Sequence, residues 1–148
     1  MSPGLYTELF FLDEATAFAA GHRPCAECRR ERFNAFCEAW KRRNGTDEPI
    51  SLAHEIDAVL HPARMDSRGA KVTWQAGIDS LPNGSFIDLH GCAYLVWDAT
   101  LLLWTPEGYS RREPPPANAI VPVLTPRPIV DCFRAGYRPE VHGSRLSL

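Results

Sequence analysis

The chain has 148 residues, 45% of them hydrophobic and 23% charged, with a net charge of -2. That is the composition of an ordinary globular protein with a core of its own, so one domain over residues 1–148 is expected. No overall field draws the chain to nucleic acid or to a membrane, and any such role needs a local patch.

Five cysteines are an odd number. The opening "MSPGLYTELFF" has neither a basic region nor a long apolar run, and no segment reaches the roughly 18 apolar residues of a membrane span. The expected setting is the cytoplasm, with reduced thiols and no membrane partner. There, metal binding or chance accounts for paired cysteines better than disulfides do.

In chain order, "LFFL" (9–12) reads as a short strand beginning near Tyr6. Asp13 then caps a helix over "EATAFAA", which Gly21 stops. Pro24 sets an extended turn before a second helix, from about Ala26 to Arg43. Its stripe of Phe33, Phe36, Cys37 and Trp40 falls at i, i+3, i+4, i+7, and "NGTDEP" closes it. Ser51 and Glu55 bracket a third helix with Leu52, Ile56, Val59 and Leu60 on its apolar face and Pro62 at its end. Residues 65–69 read as loop.

The second half changes character. "KVTWQ", "SFIDL", "AYLVW" and "TLLLW" read as short strands, with "PNG" and "WDAT" as turns. Gly108 and the "REPPPAN" run read as a rigid, solvated loop. "AIVPVL" reads as a further strand, and Pro122 puts it at a sheet edge. Thr125 is expected to cap a last helix with Pro126 at its first position and Gly136 after its end. The fold class is α+β: N-terminal helices (about 1–64) packed on a small antiparallel sheet (about 70–124), with a C-terminal helix (about 126–135). "AGHRP" (20–24) recurs as "AGYRP" (135–139), which reads as two similar helix stops.

The stretch that carries chemistry is "AGHRPCAEC". Two thiols three apart at a helix start, Cys25 and Cys28, can turn toward one ion, and the helix N-terminus favours thiolate. The same pair serves redox chemistry or simple packing. A redox motif of the thioredoxin kind follows a strand inside a βαβ unit, whereas here a helix and its glycine stop come first.

"LDEATAFAAGHRPCAEC" resembles the second half of the Ada-type zinc domain, found in methyl-phosphotriester repair proteins and in the tails of some bacterial nucleases. The match covers about 17 residues, and it implies that Cys25 and Cys28 are zinc ligands. In that family the other two ligands lie upstream, while residues 1–24 hold no cysteine and only His22. The chain also resembles an uncharacterised bacterial family sharing "TELFFLDEATA" and "AGHRPCAECRR", whose members often begin further upstream. The reading is that Met1 is an internal start or that a first segment has been lost. The Ada-like site is then incomplete, and the purified protein is expected to be mostly free of zinc.

His22 and His61 are the further candidates for metal. His54, Asp57 and His61 can share one helix face, but that pattern is more often solvated than metallated. Cys37 fits the core, His90 and Cys92 a hairpin, and His142 a C-terminal tail. Asp13 with Glu14 could be paired acids, though capping explains them. Arg29, Arg30, Arg32, Lys41, Arg42 and Arg43 against Glu31 and Glu38 give the second helix a local charge of +4. Arg29, Arg30 and Arg42 are the candidate contacts to nucleic acid, with a solvated face as the plainer account. The resulting expectation is a small non-catalytic module with a partial zinc motif and nucleic acid as partner. Its rivals are an interaction protein whose CxxC carries no metal, and a thiol oxidoreductase.

Overall fold

The computed structural model describes residues 10–45 and 53–148. Within these, the element order is α1 (Glu14–Ala19), α2 (Arg30–Asn44), α3 (Ala53–Arg64), β1 (Trp74–Gly77), β2 (Phe86–Leu89), β3 (Cys92–Trp97), β4 (Thr100–Thr105), β5 (Gly108–Glu113), β6 (Ile120–Val123) and α4 (Arg127–Arg134). Two short 3-10 segments come after β1 and α4. The expected α+β class holds. The helix start expected at Ser51 and the strand start near Tyr6 lie outside the described residues.

The strands form one antiparallel sheet in the order β1-β6-β2-β3-β4-β5. Alternation along the strands buries both faces. On one face Phe86, Leu95, Leu102 and Tyr109 pack with Ala15 of α1. On the other, Ile87, Val96, Leu101 and Val123 pack with Val130 of α4. A separate cluster joins the helices: Phe18 of α1 meets Phe36 of α2, Phe133 of α4 and Tyr137 at centroid separations of 5.3 to 5.4 Å. Such ring pairs stabilise beyond the area they bury, and they set the helices against one another.

Several elements differ from expectation for local reasons. Residues 10–12 are not strand. Residues 26–29 form a turn, so α2 begins only at Arg30. Pro62 lies inside α3, in its last turn, where only one backbone bond is forfeited. Gly108–Glu113 is a strand at the sheet edge, with only Gly108 and Tyr109 buried, so its polar outer half reads like loop. Pro122 is not on an edge strand, yet β2 pairs with β6 only at Ile87↔Val123, so no ladder bond is asked of it there. Thr125 is not a cap. It is fully buried, and its hydroxyl accepts from the Phe86 amide at 2.9 Å, tying the start of α4 to β2. His142 is docked and not in a loose tail: its amide donates to Asp13 at 2.9 Å.

The two Ala-Gly-x-Arg-Pro segments are the same helix stop. Gly21 (φ +83°) donates to Phe18 and His22 donates to Ala17; Gly136 (φ +103°) donates to Phe133 and Tyr137 donates to Cys132. Both are the paired backbone bonds of a glycine-terminated helix.

Candidate functional site: a thiol pair on a helix-lined cleft

The first helix stop builds the site. A Cβ at Gly21 would lie 2.5 Å from the Cβ of Arg64, so glycine alone lets the end of α1 sit on the last turn of α3. Arg64 returns the contact with an N–H to the Gly21 carbonyl at 3.4 Å. Arg23 then grips Asp57 of α3 with both sides of its guanidinium, at 2.9 and 2.7 Å, and lies over the Phe33 ring at 5.2 Å. Pro24 is buried, and the chain turns through residues 25–28 so that the Arg29 amide donates to the Cys25 carbonyl at 3.1 Å.

This arrangement leaves a cleft of about 840 Å³ between α1, the thiol turn and α3. Its apolar wall is Phe10, Phe11, Leu12, Phe18 and Leu60. All four candidate metal ligands, His22, Cys25, Cys28 and His61, line it. His54, expected to share a face with His61, is exposed and does not line the cleft.

The two thiols are unlike. Hydrogen bonds from the Cys28 backbone amide, the Cys28 thiol and the Glu27 amide hold the Cys25 thiol below its ordinary range. Donation to Cys25, burial and the nearby Cys25 charge push the Cys28 thiol up. Cys25 is therefore the more readily ionised thiol of the pair. His22 is held in its neutral form by burial and by the Arg64 cation, but its Nδ1 lies 3.3 Å from an Arg64 nitrogen. A guanidinium only donates, so Nδ1 is the acceptor, the ring proton sits on Nε2, and neither nitrogen is free to ligate while this contact holds.

A tetrahedral zinc site needs four donors. Among the described residues no group of three or more His, Cys, Asp or Glu side chains could hold a metal ion. Cys25 and Cys28 supply two donors of the kind such a site uses. Of the remaining cysteines, Cys37 and Cys132 are core residues, and burial pushes the Cys132 thiol up to about 12. Cys92 is exposed at the start of β3, and none of the five cysteines is in a disulfide.

The positive charge of α2 is largely engaged within the molecule. Arg29 pairs with Glu140 and lies 3.6 Å from Glu14. Arg32 grips Glu14 at 3.0 and 2.6 Å. Arg42 donates to the Ala135 carbonyl at 2.9 Å, and Arg43 lies over Trp40 at 4.6 Å. Arg30 is exposed.

The sequence reading missed the bonds that hold this region to the C-terminal segment. Glu14 is buried, and its carboxylate also accepts from the Tyr137 hydroxyl at 3.1 Å and the Glu140 amide at 3.0 Å. Burial pushes its pKa up, but the Arg32 bonds, the Glu140 amide and Tyr137 outweigh this and hold it below the carboxylate range. Beside it, Asp13 caps α1 through Thr16 at 2.8 Å and accepts from the Tyr109 hydroxyl at 2.7 Å. The adjacent acids were the available signal; both are structural.

No family model, curated protein or solved structure matches the chain. No helix of the described residues is long and apolar enough to cross a membrane.

Proposed function

We propose that the chain is a non-catalytic binding module of the cytoplasm whose Cys25–Cys28 pair is half of a soft-metal site. The rest of the ligand set would come from a partner seated in the cleft. The observation that carries this reading is that Cys25 and Cys28 line one cleft with His22 and His61, Cys25 being the more readily ionised thiol. A thiolate pair is the part of a zinc site that confers most of its preference for soft ions. Association with nucleic acid through α2 would rest on Arg30 and the outer edges of Arg29 and Arg42, and is expected to be weak and salt-sensitive.

A cobalt titration tests the reading, because thiolate-to-metal absorption appears only when sulfur binds. Weak, saturable sulfur ligation is expected, lost in Cys25→Ser and in Cys28→Ser and nearly unchanged in Cys37→Ser. Absence of any sulfur signal in the wild type overturns it. The lowered Cys25 favours a second reading, thiol–disulfide exchange. Saturable reduction of insulin disulfides by the chain, lost in Cys25→Ser, would replace the first reading with this one.

A further inference from the structure

Three other arginines share one pocket. Arg112 of β5, Arg138 after the second helix stop and Arg145 of the C-terminal 3-10 segment line one pocket of about 410 Å³, together with Trp97 and Asp98. None of its lining residues belongs to the thiol cleft. Among the described residues, none of the three makes an ion pair with a carboxylate, in contrast to Arg23, Arg29, Arg32 and Arg43.

Each is tied to its neighbours by a specific contact. Arg112 is paired with Leu102 across β4 and β5, and its guanidinium reaches the Arg145 carbonyl at 3.5 Å. The Arg138 carbonyl accepts from Arg32 at 2.7 Å. The next residue, Pro139, packs so closely on Gly84 that a Cβ there would lie 2.4 Å from the proline ring. Arg145 lies 5.4 Å over the Trp97 ring. The one carboxylate among the lining residues, Asp98, accepts from the Asn83 side-chain amide at 2.8 Å. Three cations and one anion leave the pocket a local charge of +2 in a chain of net charge -2.

Guanidinium is the side chain best matched to phosphate, through paired N–H donors that stay charged at any working pH. We infer that this pocket binds a phosphate group, through Arg112, Arg138 and Arg145. The group is either that of a small phosphate ester or that of a nucleic-acid backbone.

The test is calorimetry with inorganic pyrophosphate and anisotropy with a labelled single-stranded oligonucleotide, both at about 50 mM salt, where phosphate contacts are strongest. Saturable binding of at least one probe is expected, with the Trp97 indole proton resonance moving as the site fills. Arg112→Gln and Arg138→Gln should each weaken it roughly three- to tenfold, in line with single charge-assisted bonds at partly exposed sites. Arg68→Gln, at an exposed residue that lines neither the pocket nor the thiol cleft, should leave it unchanged. Tighter binding of the oligonucleotide, weakened by the same substitutions, identifies the backbone as the source; binding of pyrophosphate alone identifies the small ester. Failure of both probes to bind, or affinity untouched in Arg112→Gln and Arg138→Gln, overturns the proposal.

Discussion

Residues 20–24 and 135–139 share four of five residues and the same backbone bonds, yet they do different things. In the first copy, arginine is committed: Arg23 is locked onto Asp57, and the chain runs on into the thiol pair. In the second, the side chain of Arg138 is turned to a pocket of like charges, while Tyr137 reaches back to Glu14 of α1. Glycine and proline fix where a helix stops and which way the chain leaves. The side chains on either side of the proline decide what each exit holds.

The two copies are not independent, since the second is clamped onto the start of the first helix. Breaking that clamp is the largest effect expected. Glu14→Ala would leave the Tyr137 hydroxyl and the Glu140 amide without this acceptor and Arg32 with only the Arg138 carbonyl and Glu140, a loss of about 3 kcal/mol when the partial exposure of Arg32 is allowed for. Chemical unfolding measures it. The lowered carboxyl sets the sign with pH: the folded state binds fewer protons, so the stabilisation is present above the unfolded carboxylate value and lost as pH falls through the folded one. The gap between wild type and Glu14→Ala should therefore be widest near neutrality and narrow in acid.

The glycines sharpen the comparison itself. Gly21→Ala must adopt a left-handed conformation and also push its Cβ into Arg64, so about 2–3 kcal/mol should be lost. Gly136→Ala meets only the strain, because the nearest atom is an Arg42 nitrogen at 3.8 Å; about 1 kcal/mol is expected. Equal melting shifts in the two variants would mean that the α1–α3 contact is not tight. Smallest is Asp57→Asn, which removes an ion pair half open to solvent, and less than about 1 kcal/mol should go with it.

The features legible in the sequence obey local rules. The helix stops, the Asp13 cap, the Phe36–Trp40 stripe and the alternating strands each rest on neighbours within a turn or a pleat, so composition and spacing reveal them. β5 was not legible, because an edge strand with a solvated outer half has the composition of a loop. The role of Thr125 was not legible either, since its partner is an amide 39 residues away. Of the candidate site, the thiol pair was plain. The cleft was not, because it depends on Gly21 and Arg64, which are 43 positions apart. The charge of the second helix was legible, but not where part of it goes: Glu14, Glu140 and Asp131 reach Arg29, Arg32 and Arg43 from elsewhere in the chain.

The central claim is that Cys25 and Cys28 are half of a metal site, reached from a cleft and incomplete within the chain. Elemental analysis of protein purified without chelators tests it most directly, run alongside Cys25→Ser. Two thiolates alone hold zinc poorly against cellular competition, so zinc well below one equivalent is predicted. The melting transition of Cys25→Ser should then stay close to that of the wild type. Near-stoichiometric zinc, lost in Cys25→Ser together with the folding transition, would contradict the account and show that the chain completes the site by itself.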